Sequence, residues 1–82
     1  MKSSQIIVHL LRLIPVNLLK YTTPIFKRGC VEVVFKRGLC EFKRRFYYFK
    51  SYSEIYDEIV NFANFCLSID DFTNTIETIE KE

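Results

Sequence analysis

The sequence predicts a small α+β domain in which an apolar N-terminal helix, an antiparallel β-hairpin and one or two C-terminal helices share one core. Apolar residues recur at three- and four-residue spacing towards both ends of the chain, and they alternate with period two in the middle. The length of 82 residues allows one domain at most. We therefore predict a single domain over residues 1–82, with the helices packed on one face of the sheet.

The first predicted element is a helix over residues 4–14. Its polar positions recur at i, i+4 and i+7, so they form one narrow stripe on an otherwise apolar surface. A helix that is apolar over most of its circumference is typically buried on two sides. In so small a domain we expect the second side to contact another copy of the chain. This predicts a homodimer with Leu10 and Ile14 in its interface.

Alternation in the middle of the chain predicts a hairpin with strands at residues 30–36 and 39–50. The Arg37-Gly38 pair is a plausible two-residue turn, because glycine adopts positive φ without strain. With this turn, Val33 faces Phe42 on an apolar face and Glu32 faces Lys43 on a charged face.

The second strand of this hairpin spans twelve residues, which is long for a strand. We therefore expect a bend or a β-bulge near Lys43–Arg45. The sequence leaves open whether Ile25–Arg28 forms a third short strand or extends the first.

The C-terminal part predicts helices over residues 52–67 and 71–80. Ser51 and Glu54 have the spacing of a capping box, and apolar residues recur behind them on one helix face. Asp70 or Asp71 can cap the start of the second helix.

Catalytic chemistry finds little support in the residue inventory. His9 is the only histidine, and the two glycines cannot build a phosphate-binding loop. The three cysteines are odd in number and contain no CxxC pair, which indicates reduced structural thiols in the cytoplasm. The apolar stretch over residues 6–19 is short for a membrane span. We expect no enzyme activity, metal, cofactor or membrane partner.

Charge is divided between the two parts of the chain. Residues 1–50 hold eleven of the twelve Lys and Arg residues but only two acids, whereas residues 51–82 hold eight of the ten acids and one lysine. Each charged surface can bind a partner of opposite charge. On the hairpin we predict nucleic-acid contacts, since cations neutralise phosphates and an aromatic ring can stack on a base. The predicted contact residues are Lys36, Arg37, Lys43, Arg45 and Tyr47.

The acidic helices predict a second kind of contact, with a protein. The residues concerned are Asp57, Glu58, Asp70 and Asp71.

Three functions remain open at this level. The first is nucleic-acid or nucleoprotein binding through the basic hairpin. The second is an inhibitor or adaptor of phage or viral type, comparable to an anti-CRISPR protein, that docks on a host nucleic-acid machine. Abundant Ile, Lys, Asn, Phe and Tyr with no Trp fit such a source. The third is a structural subunit that inserts its apolar N-terminal helix into a larger assembly.

Overall fold

A computed structural model describes the backbone of residues 3–81 and the side chains of residues 3–79. The α+β class is confirmed, and the third strand is present. In chain order the elements are α1 (Ser3–Leu10), a 3₁₀ turn (Leu11–Leu13), α2 (Val16–Leu19), β1 (Thr22–Lys27), β2 (Cys30–Arg37), β3 (Cys40–Tyr47) and α3 (Tyr52–Lys81).

The three strands form one antiparallel sheet in the order β1-β2-β3. Two-residue turns join them, Arg28-Gly29 and Gly38-Leu39. Each turn contains a glycine with positive φ, 88° at Gly29 and 62° at Gly38. Residues other than glycine rarely adopt this backbone conformation, so the two glycines determine where the chain reverses.

The predicted turn at Arg37-Gly38 is wrong, because Arg37 is the last residue of β2 and pairs with Cys40. Gly38 occupies the first central position of the turn, where a type II′ turn requires positive φ. The register is therefore shifted by two residues. Val33 faces Arg44 and Glu32 faces Arg45, in place of the predicted Phe42 and Lys43. A shift of two residues keeps every side chain on its predicted face.

The predicted bulge and the length of the last strand are also wrong. Each residue from Cys30 to Arg37 pairs with one residue of β3, so the described hairpin contains no bulge. β3 ends at Tyr47, and the chain then turns towards α3.

Arg44 lies on the apolar face by register but is exposed to solvent. A long side chain on an edge strand can place its stem over apolar neighbours and its charged end in water.

A single helix, α3, replaces the two predicted C-terminal helices. The capping box at its start is confirmed: Ser51 Oγ accepts the Glu54 N–H at 3.3 Å, and Ser51 N–H donates to Glu54 Oε1 at 3.4 Å. The Asp70 side chain bonds the hairpin and does not cap a new helix, so α3 continues past it. No helix in the described part of the chain has the length and hydropathy needed to cross a membrane.

The core lies between one face of the sheet and the helices. Leu10 and Ile14 belong to it, with exposures of 4% and 1%. α1 packs against α3 of the same chain, so Leu10 and Ile14 are not exposed for the dimer contact predicted from the sequence. Self-association of the chain stays a prediction. The remaining fully buried side chains are those of Ile7, Leu18, Val31, Val33, Phe35, Phe46, Ile59, Phe62 and Cys66.

Candidate nucleic-acid interface

The sheet face turned away from the helices forms the candidate site, and we call it the outer face. The core is built from the alternate residues of β2, Val31, Val33 and Phe35, so the intervening side chains lie on this face. In rows across the sheet these are Thr23, Val34 and Lys43, then Ile25, Glu32 and Arg45, then Lys27, Cys30 and Tyr47, with Lys36 and Glu41 beside the turn.

Glu32 is the buried charge at the centre of the outer face, with 7% of its surface exposed. Its carboxylate lies 2.9 Å from Lys27 Nζ and 3.5 Å from Arg45 Nε. The hydrogen bond from Lys27 lowers the pKa of Glu32, with smaller contributions from Arg45, and partial burial opposes the shift. Glu32 therefore stays ionised and holds one cation on each flanking strand.

An aromatic pair lies at the far end of the outer face. The rings of Tyr47 and Phe49 are 5.5 Å apart between centroids, and Phe49 is 81% exposed. The Tyr47 hydroxyl, and then Glu32, raise the pKa of Arg45, which keeps this guanidinium charged beside the rings. An exposed ring such as that of Phe49, next to a permanent cation, can stack an unpaired base, and half-buried Tyr47 supports it from the sheet.

The opposite end of the outer face holds cations that are not neutralised. Lys36 and Lys43 are exposed, and neither has an ion-pair partner among the described side chains. Because exposed lysines without a partner are free to neutralise phosphates, this end of the face can contact a polyanion directly.

The structure thus places four of the five predicted nucleic-acid contacts on one surface, Lys36, Lys43, Arg45 and Tyr47. Arg37 lies on the other face and is occupied by contacts with α3. Its guanidinium bonds Asn74 at 2.9 Å, Asp70 at 3.0 Å and Glu77 at 3.4 Å.

Sequence reasoning left Lys27 and Phe49 out of the site. Phe49 could have been found by extending the β3 alternation two residues beyond Tyr47. Lys27 could not, because its place beside Glu32 depends on the register of β1.

The four acidic residues predicted to contact a protein differ in whether they are free or already paired. Asp57 and Asp71 are exposed, whereas Asp70 is engaged by Arg37 and Glu58 by Lys50. The free Oε2 atom of Glu58 is buried without a hydrogen-bond partner among the described residues.

The other chemically notable groups form no reactive cluster. His9 and Arg12 line a shallow groove of about 450 Å³ beside Phe26. Cys30, Cys40 and Cys66 are all free thiols. Within the described residues, no three His, Cys, Asp or Glu side chains come together as a metal site.

Comparison of the chain with protein-family models, curated proteins and solved structures finds no match. Function is therefore inferred from the chemistry of the surface alone.

Proposed function

We propose that this protein binds single-stranded nucleic acid on the outer face of its sheet. The observation that carries the proposal is the placement of Lys36, Lys43 and Arg45 on one helix-free face, with half-buried Tyr47 and exposed Phe49 in ring contact at its end. The lysines neutralise phosphates, and the Tyr47 and Phe49 rings stack on bases that are not held in a duplex.

The shape of the face favours a single strand over a duplex. The major groove of DNA admits an α-helix or a two-stranded ribbon, and the third strand makes this sheet wider than such a ribbon. An open sheet with exposed aromatic rings is a surface on which unpaired bases can spread.

The acidic helix does not oppose this mode of binding. α3 packs on the core face, so the sheet separates its carboxylates from a ligand on the outer face. A ligand on the outer face and the carboxylates of α3 are separated by both the sheet and the core layer, a distance of about one screening length or more at moderate salt. Repulsion from Asp57 and Asp71 is therefore weak at the outer face.

Fluorescence anisotropy with labelled oligothymidylate and oligouridylate, titrated over a series of salt concentrations, tests the proposal. We expect affinity to fall with salt and the Lys36→Glu/Lys43→Glu variant to lose most binding. Each phosphate contact removed should reduce the slope of log affinity against log salt by about 0.7 for a single strand. Phe49→Ala should weaken binding with little change in that slope, because stacking releases no counterions.

The matched control is Arg12→Glu/Lys20→Glu, which makes the same change in net charge at exposed positions of the N-terminal segment. It should bind nearly as well as the wild-type protein. Equal losses in both double variants would show attraction to overall charge only and would contradict a site on the outer face. If the wild-type protein fails to bind at low salt, the proposal is wrong, and docking of exposed acids such as Asp71 on a basic protein becomes the leading hypothesis.

A further inference from the structure

The distal half of α3, residues 68–79, reaches the turn between β2 and β3 and continues beyond it, and it carries an apolar stripe that the described chain covers only in part. A helix of 30 residues is about 45 Å long, whereas strands of eight residues span about 26 Å. Phe72, Ile76 and Ile79 recur at spacings of four and three, so they lie on one side of the helix. Their exposures are 58%, 38% and 64%.

The turn between β2 and β3 completes this surface. A groove of about 210 Å³ runs between the turn and the distal half, with Phe72 and Ile76 on one wall and Cys40 on the other. Leu39 stands at its edge and is fully exposed. One surface therefore presents both an apolar projection and an apolar groove.

We propose that this surface binds a second copy of the chain, with Leu39 of each copy packed on Phe72 and Ile76 of the other. A surface that carries both a projection and a groove can match itself around a two-fold axis, which closes the assembly at two chains. Leu39, Phe72, Ile76 and Ile79 together expose on the order of 500 Å² per chain, since a large side chain presents about 200 Å². Complete burial of these side chains in two copies removes about 1,000 Å² from water before their polar neighbours are counted, which is the area that a predicted interface should clear.

Charge complementarity favours this arrangement over one that pairs the two helices with each other. The distal half is acidic, with Asp71 exposed and without an ion-pair partner among the described side chains. Arg44, on the neighbouring strand, is likewise exposed and unpaired within residues 3–79. Placing the hairpin of one copy over α3 of the other brings unlike charges together, whereas helix against helix brings acids together.

Sedimentation equilibrium of the full chain over low to high micromolar concentrations tests the proposal. The wild-type protein should approach twice the 9.8 kDa mass of one chain. Ile76→Asp and Leu39→Asp should each raise the dimer dissociation constant at least about tenfold, because each places a charge in the apolar centre of the interface. Circular dichroism melts establish that both variants are folded.

Thr78→Asp is the matched control. It introduces the same charge on the distal half, about 200° around the helix from Ile76, and should leave dimerisation unchanged. A wild-type protein that stays monomeric at high micromolar concentration, or a folded Ile76→Asp variant that dimerises normally, would overturn the proposal. Ile76→Asp should still bind oligothymidylate, so failure of the dimer and failure of nucleic-acid binding are distinguished.

Discussion

The Arg37 guanidinium donates through Nε to Asp70 Oδ1 at 3.0 Å and thereby joins the end of β2 to a helix residue 33 positions later. Both side chains are about 15% exposed, and the guanidinium also lies 5.0 Å from the centre of the Tyr21 ring. The hydrogen bond to Asp70 raises the pKa of Arg37 further, which favours the charged guanidinium. A residue of the basic hairpin is thus the anchor of the acidic helix.

Arg37→Ala should destabilise the protein by about 1–2 kcal/mol in urea unfolding. The substitution removes the hydrogen bonds to Asp70 and Asn74 and leaves the partly buried Asp70 carboxylate without its cation, while partial exposure to water limits the loss. Arg37→Lys should recover part of this stability, because an ammonium keeps the charge but cannot reproduce the planar array of donors.

Lys36→Ala is the control for this prediction, since Lys36 is the neighbouring cation and is exposed. It should change stability by no more than about 0.5 kcal/mol. A loss as large as that of Arg37→Ala would mean that general charge balance, and not the contact with Asp70, stabilises the helix.

Glu32 predicts a specific dependence of stability on pH. Its folded pKa is lowered, chiefly by the hydrogen bond from Lys27, so the folded state favours the ionised form. The resulting stabilisation is complete above the ordinary pKa of about 4.3 and is lost as the pH falls through the lowered folded value. The difference in urea midpoint between the wild-type protein and Glu32→Gln should therefore be constant near neutral pH and shrink below pH about 4.

Glu41→Gln serves as the comparison, because Glu41 lies on the same face but is exposed and forms no ion pair among the described side chains. Its effect should be small at every pH in the series. A Glu32→Gln difference that persists unchanged into strong acid would show that Glu32 stabilises the sheet by packing and not by charge.

Cys66 should resist alkylation in the folded protein. Burial raises the pKa of this thiol to about 12, so at pH about 8.5, where an ordinary cysteine is half ionised, it contains almost no reactive thiolate. Cys40 is only half-buried and should react first with iodoacetamide. Peptide mapping by mass spectrometry, before and after unfolding in urea, measures both sites. Equal labelling of the two thiols in the native protein would be incompatible with a buried Cys66.

Local pattern was enough to predict helices at both ends of the chain, a hairpin between them and the face on which the strand side chains lie, but not the third strand or the single C-terminal helix. Alternation placed Val33 and Phe42 on the apolar face, where Val33 is buried and Phe42 packs on the core, and the spacing of Ser51 and Glu54 located the start of α3. These features depend on residues a few positions apart, since side-chain period and helix capping are properties of a short segment. The outer face could be predicted in large part for the same reason.

The sequence by itself thus determined the elements and their amphipathic faces, and the tertiary structure decided how those faces are used. The burial of Leu10, the contact of Arg37 with Asp70 and the continuation of α3 past that residue all depend on partners far away in the chain. Periodicity shows that a helix has an apolar side but not which surface covers it. The sequence likewise does not show whether a cation contacts solvent, phosphate or carboxylate. That depends on which of them the fold brings within hydrogen-bonding distance.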